Sequence, residues 1–281
     1  MRKVELLKPS RRRRKQIQAM RKLPLNGARG RPWSPARRHH AWVATWLQDR
    51  RRGRIAASVP ALVTLTTGLV GYYNLDEAGD YDDAIDYAGN MGGMAATGGA
   101  LVSTSGPGLH LARDFSDAGS LTQLVDFAGF SGPPFAINFW IFQNSNGGQY
   151  PFDCSAGSSG FTCFLATDGM YVNMYAFTPG YDSPGTIGTS GNFGSWVMFT
   201  LVWNGAEYSY YENGTLIGSD AFVPADVFAT AVAPFQISAW FLPVDGAMAL
   251  FGVWQRELTG EEVTQLYNGG DGLSFAELET L

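Results

Sequence analysis

Residues 195–221 read SWVMFTLVWNGAEYSYYENGTLIGSDA. Three runs rich in β-branched and aromatic side chains, 195–203, 207–212 and 215–221, are separated by short polar breaks. The second break, Asn213-Gly214, is the dipeptide favoured by two-residue hairpin turns with positive φ. This stretch predicts three strands, the last two joined as a hairpin, and it sets the fold class for the residues around it.

Working outward, runs 161–167 and 170–177 flank a second tight-turn dipeptide, Asp168-Gly169. Further strand-like runs lie at 68–75, 108–115, 135–143, 235–239 and 247–255. Short strands at such regular spacing favour a sandwich over an α/β fold. The glycine-rich stretch 89–108 reads as loops with at most one edge strand. One helix is signalled near the end: Thr259 precedes Glu262 at capping-box spacing, then come Val263, Leu266 and Tyr267, and Asn268-Gly269-Gly270 is a stop. It is expected to cover one end of the sandwich. The 281 residues are 45% hydrophobic and 14% aromatic with 35 glycines, which suits many short strands joined by turns and supplies a sizeable core.

The net charge of −5 hides a sorting by sign. Residues 1–54 hold 18 of the 20 Lys and Arg side chains against Glu5 and Asp49 alone, a net +16. The rest holds Arg113 and Arg256 against 23 acids, a net −21. We read 1–54 as a basic anchoring arm, 55–67 as a linker and 68–281 as the sandwich. Within the arm, Arg11, Arg12, Arg13, Arg14 and Lys15 form one cluster, and Arg50, Arg51, Arg52 and Arg54 another. Between them, Arg37 and Arg38 flank a short amphipathic helix whose apolar face includes Trp42 and Trp46. That helix either packs on its own sandwich or docks on another subunit. The arm calls for an anionic partner: acidic surfaces of other proteins, or phosphates gripped without sequence preference.

No signal peptide is expected from the basic start, although 50–71 would pass for one if translation began later. The mildly apolar stretch 55–73 contains Ser58, Pro60, Thr64, Thr66 and Thr67, which argues against a membrane span.

Cys154 and Cys163 bracket a glycine-containing turn. They read either as a hairpin disulfide, which would contribute roughly 2–3 kcal/mol, or as two buried thiols on neighbouring strands. Asp76, Glu77, Asp80, Asp82 and Asp83 supply hard oxygens for a candidate calcium site, the alternative being a hydrated acidic loop. Catalytic constellations are missing: no alternating Glu-x-Asp-x-Glu strand, no serine elbow, and His39, His40 and His110 without triad partners. An enzyme is not expected, nor any cofactor beyond that calcium. Tyr150, Tyr171, Tyr175, Tyr181, Tyr208, Tyr210 and Tyr211 could stack on sugars, whereas Trp140, Trp196 and Trp254 read as core.

The order of five segments resembles the bacterial and phage branch of the laminin G-like, concanavalin A-like family. They are GLVGYYNLDEAG (68–79), FAINFWIF (135–142), SWVMFTLVW (195–203), YSYYENGTLIGS (208–219) and DGAMALFGVWQRELTGEEVTQLYN (245–268). The resemblance implies an all-β jelly-roll sandwich that binds, with any calcium or sugar held by carboxylates and amides at loop tips. Ala249 departs from it, standing where the closing strand usually carries an acid. With the basic arm, the resemblance implies a non-enzymatic virion structural protein, a bacteriophage capsid decoration, cement or tail-associated subunit. Such a protein is expected to be a symmetric homo-oligomer that touches glycans or neighbouring subunits. The alternative is a bacterial secreted or surface carbohydrate-binding adhesin.

Overall fold

The computed structural model describes residues 64–79, 81–98, 102–123, 134–145, 147–156, 159–166, 169–176, 180–182, 193–221, 235–239 and 241–281. These build two antiparallel sheets. The first runs β13 (Thr215–Ala221), β12 (Glu207–Glu212), β11 (Trp196–Trp203), β6 (Phe135–Gln143), β15 (Gly246–Trp254), β4 (Leu111–Asp114), β3 (Val102–Ser105), with β1 (Leu69–Tyr73) also on β15. The second runs β10 (Gly180–Asp182), β9 (Gly169–Ala176), β8 (Ser159–Ala166), β7 (Gln149–Ala156), β14 (Gln236–Ile237), β5 (Ser120–Gln123), β2 (Met94–Thr97).

The three runs of residues 195–221 are β11, β12 and β13, the predicted hairpin is β12–β13, and β11 pairs with β12 to make an antiparallel meander. The hairpin turn has Asn213 at φ 50 and Gly214 at φ 77, the left-handed pair that Asn-Gly supplies with little strain. Around Asp168-Gly169, Ala166 pairs with Gly169, which leaves two connecting residues, 167 and 168, outside the description. β15 pairs with β1 along its second half and β4 along its first, and a bulge between Ala249 and Gly252 separates the two registers. Leu250 takes φ 51 there, and its carbonyl faces the buried Asn138 amide at 3.5 Å while Asn138 Oδ1 accepts from Thr200 Oγ1 at 2.7 Å. A polar pair inside the sheet thus steadies the irregularity that lets one strand serve two neighbours.

Between the sheets, Phe135, Ile137, Phe139, Ile141, Phe199 and Phe251 meet Phe152, Phe161, Leu121 and Ile237. Each such fully buried ring contributes about 2–3 kcal/mol. A second cluster lies on the other side of the first sheet, where Ala136, Trp140, Met198, Ala249 and Trp254 pack with Val263, Leu266 and Leu278. The terminal helix α1 (Gly260–Tyr267) has the capping box expected of Thr259 and Glu262 and ends on Asn268 in the left-handed conformation. It lies over the outer face of the first sheet rather than an end of the sandwich: Trp140 and Tyr267 stack at 5.6 Å and 12°. The short helix α2 (Phe275–Leu278) contributes Leu278 to the same layer. Both faces of β6 and β15 are therefore covered, which explains why FAINFWIF and GAMALFGVW read as near-continuous apolar runs instead of alternating.

Five strands lie outside the predicted runs: β2, β3, β5, β7 and β10. β7 is central to its sheet, yet it contains Pro151; a register shift between Gln149 and Phe152 accommodates the missing donor. β2 and β3 are two strands where at most one was expected. The packing also begins before Gly68. Leu65 is fully buried, and its carbonyl accepts from Trp254 Nε1 at 2.6 Å.

Candidate functional site

Three connections, 115–119, 143–149 and 238–245, interlock through polar groups. Asn144 donates its backbone N–H to the Asp245 carbonyl at 2.8 Å, and its Nδ2 to Asp245 Oδ1 at 3.2 Å and Ser116 Oγ at 3.0 Å. Ser145 Oγ donates to Asp245 Oδ2 at 2.6 Å, and Gln149 Nε2 to the Ser145 carbonyl at 3.2 Å. Ser116 in turn donates through its backbone N–H and Oγ to Asp114 Oδ1 at 2.8 and 2.5 Å.

Beside this network stands an aromatic group. The Tyr150 N–H donates to the Leu242 carbonyl at 3.0 Å, and the Ala239 N–H to the Tyr150 carbonyl at 3.0 Å, so the 239–242 turn is held against the start of β7. That places the Phe241 ring 4.8 Å from Tyr150, with Phe164 4.8 Å from Tyr150. Phe164 falls between the buried Cys163 and Leu165, and strand alternation turns it to the outer face. Phe241 and Leu242 are 42% and 45% exposed. An accessible aromatic surface next to hydroxyl, amide and carboxylate groups suits a sugar, whose C–H faces stack on rings while its hydroxyls donate to the acceptors.

Of the tyrosines singled out in the sequence, Tyr150 belongs to this group. Tyr208 and Tyr210 are buried in the core and Tyr211 is half-buried; the side chains of Tyr171, Tyr175 and Tyr181 lie outside the description. Trp140 and Trp254 are core as expected, and Trp196 is partly exposed. Phe164, Phe241, Asn144 and Asp245 were not singled out. The available signal was the polar run QNSNGGQ at 143–149, but no local spacing joins it to Phe241, almost a hundred residues away.

Among the described residues no group of three or more His, Cys, Asp or Glu is placed to hold a metal, and Asp80 lies outside them. Arg113 reaches into the loop. Its Nη1 and Nη2 donate to the Asp82 and Gly79 carbonyls at 2.7 Å each, and Glu77 Oε2 lies 3.6 Å from Nη1. The other carboxylates bind the loop's own backbone or neighbouring side chains. Asp82 accepts from Gly79 N and Asp83 from Ala96 N; Asp76 accepts from Asn74 Nδ2 and Tyr87 OH. Asp86 accepts from Tyr72, Ala88, Met91 and Gly92. Backbone N–H groups and neighbouring side chains thus engage Asp76, Asp82 and Asp83; Glu77 accepts from the Ile85 N–H through Oε1, while its buried Oε2 has no hydrogen-bond partner and faces Arg113.

The two cysteines are free thiols, buried between the sheets. Cys154 pairs with Phe161 and Cys163 with Phe152, so the thiols are diagonal neighbours. Diagonal positions stand about 7–8 Å apart, beyond the about 3.8 Å between Cβ atoms that a disulfide needs. The register overturns the hairpin disulfide in favour of paired buried thiols. The proposed anchoring residues Arg11, Arg12, Arg13, Arg14, Lys15, Arg37, Arg38, Trp42, Trp46, Arg50, Arg51, Arg52 and Arg54 all lie outside the described residues.

A separate groove of about 270 Å³ is lined by Thr66, Leu69, Ala88, Asn90, Phe275 and Glu279. The Asn90 amide there is committed to the Leu69 and Ala88 carbonyls. Among the described residues no helix is long and apolar enough to cross a membrane.

Comparison with known proteins agrees with this architecture. Domain 4 of AbnA, an extracellular arabinanase from Geobacillus stearothermophilus solved with arabinotriose, matches with TM-score 0.57 and 19% identity over 70% of this chain and 97% of that one. The receptor-binding domain of botulinum neurotoxin C/D mosaic serotype matches with TM-score 0.55 and 14% identity over 73% of this chain. The binding domain of botulinum neurotoxin DC, solved with SialylT, matches with TM-score 0.55 and 13% identity, also over 73%. The match spans 52% of each toxin chain, about half its length. No curated protein matches in sequence. The family model of the concanavalin A-like lectin/glucanases matches residues 116–264, from the connection after β4 into the terminal helix, and the chain belongs to that superfamily.

Proposed function

We propose that the sandwich is a non-catalytic glycan-recognition module that reads sugars on the Tyr150–Phe164–Phe241 face, and that the basic segment 1–54 fastens it to an anionic partner. The carrying observation is the aromatic group itself, with Phe241 held at 4.8 Å from Tyr150 beside the Asn144, Ser145 and Asp245 network. The arabinotriose complex of the AbnA domain supports this reading, because nearly that whole domain shares the fold. Binding without chemistry is supported by the carboxylates of the acidic loop, which accept hydrogen bonds from the loop's own N–H groups, and by the lack of an alternating acidic strand.

In its finer form the proposal is a bacteriophage decoration or tail-associated subunit, assembled as a symmetric homo-oligomer. The basic segment lies along acidic surfaces of the particle and the acidic sandwich is displayed. The sorting of +16 and −21 onto separate parts of one chain favours it. The same sandwich on a secreted or surface adhesin is the second reading, favoured by the extracellular source of the AbnA match.

A glycan array probed with the full chain and with Phe241→Ala tests recognition; binding that is at least tenfold weaker in the variant is expected, and equal binding sinks it. Co-sedimentation with purified particles, lost on deleting residues 1–54, separates the virion reading from the adhesin.

A further inference from the structure

We infer that this glycan site takes uncharged sugars and turns acidic ones away, leaving anionic ligands to the basic segment; the inference rests on reading the Tyr150 face as the glycan site. Recognition of a carboxylate or sulfate in water usually needs a guanidinium or ammonium group, which supplies charge and paired donors together. From residue 55 onward the chain contains no lysine and only two arginines, Arg113 and Arg256. Neither is available. Arg113 is fully buried and bound to the Gly79 and Asp82 carbonyls beside Glu77. Arg256 donates from Nε to the Thr67 carbonyl and grips Glu262 with Nη1 and Nη2 at 2.9 and 2.6 Å. The remaining imidazole, His110, already faces Glu277 at 3.5 Å.

The polar groups at the site point the same way. Asn144 Nδ2 and the Ser145 and Ser116 hydroxyls are donors already directed at Asp245, Ser116 and Asp114. What they leave for a ligand is acceptor capacity on two carboxylates, Asp114 and Asp245. Sugar hydroxyls donate well to such acceptors. A sialyl, uronyl or sulfate group would bring a third negative charge into a site with no cation among the described residues, on a body carrying −21. Two like charges about 5 Å apart repel by about 1 kcal/mol in water-like dielectric, so Asp114 and Asp245 together disfavour an acidic sugar by about tenfold. The chain thus divides ligands by sign: polyanions to residues 1–54, uncharged glycans to the aromatic face.

The test is a glycan array carrying neutral backbones and their sialylated, uronylated and sulfated counterparts, read with the full chain, Phe241→Ala, Tyr150→Ala and Asp245→Lys at 0.05 and 0.5 M salt. Neutral glycans should bind at both salt concentrations and lose at least tenfold in Phe241→Ala, with Tyr150→Ala as a second probe of the face. Acidic glycans should bind equally to wild type and Phe241→Ala and release at high salt, as expected of a basic segment. Asp245→Lys should tighten acidic glycans about fivefold or more at low salt. An acidic glycan that wild type holds as tightly as its neutral counterpart at 0.05 M salt, where repulsion is least screened, and that Phe241→Ala loses there, overturns the selectivity and keeps the site. Binding of every glycan that is indifferent to both aromatic variants overturns the site, and the selectivity with it.

Discussion

Arg113 Nη1 lies 3.6 Å from Glu77 Oε2, and both side chains are shut away from solvent. Burial raises the Glu77 carboxyl above its ordinary range, against the lowering pull of the Ile85 N–H and of Arg113. The arginine comes from β4 in the first sheet, and its other contacts are carbonyls of the acidic loop. It ties that loop to the sandwich.

Arg113→Met should therefore cost about 3–5 kcal/mol, because it leaves Glu77 buried without its cation and two carbonyls without donors. Chemical denaturation of the variant measures the loss. Adding Glu77→Gln should recover part of it; a double variant no better than the single would show that the ion pair is not what links them.

Cys154 is pushed up to about 12 by burial and by neighbouring Asp153, and burial raises Cys163 as well. Neither forms appreciable thiolate near pH 8 while the fold persists. A maleimide should label neither thiol of the native protein within an hour and both in denaturant. Rapid labelling of the native chain would contradict the β7–β8 register.

At the start of α1, burial pushes the Glu262 carboxyl up, but Arg256 and the Thr259 backbone N–H outweigh it and hold it below its ordinary value. A folded pKa below the unfolded one means a contribution complete above about 4.3, the unfolded value, and lost as pH falls through the folded one. Glu262→Gln should lower the melting temperature at pH 7, and the gap to wild type should close by about pH 3. A gap that does not change with pH would show that packing, not charge, carries the effect.

Trypsin cuts after Lys and Arg, and the last such residue before Arg113 is Arg54. Arg113 is buried and Arg256 is tied at three points. Brief digestion of the native protein should stop at a fragment beginning at Ile55, identified by intact mass. Early cuts at 113 or 256 would mean that the sandwich opens more easily than its packing implies.

Legibility followed how local the signal was. FAINFWIF, the Asn213-Gly214 turn and the Thr259–Glu262 cap were each recognisable from a few adjacent residues, since strand propensity, left-handed turn geometry and capping act within one segment. β7 was not: Pro151 reads as a strand breaker until a neighbouring register shift removes the need for its N–H. The acidic loop showed carboxylates in plenty but not their partner, because Arg113 stands more than thirty residues away and reaches them through the pairing of β4 with β15. The aromatic site was legible only in Tyr150.

By itself, then, the amino-acid order determined an all-β sandwich, its hairpins, its capped terminal helix and the separation of basic from acidic residues. Tertiary structure alone decided that helix α1 lies over a sheet face, that the cysteines sit diagonally, that a guanidinium binds two carbonyls of the acidic loop, and that Phe241 reaches Tyr150. Backbone conformation depends on neighbours in sequence, whereas contacts across strands depend on register, and a shift of one residue exchanges which side chains meet.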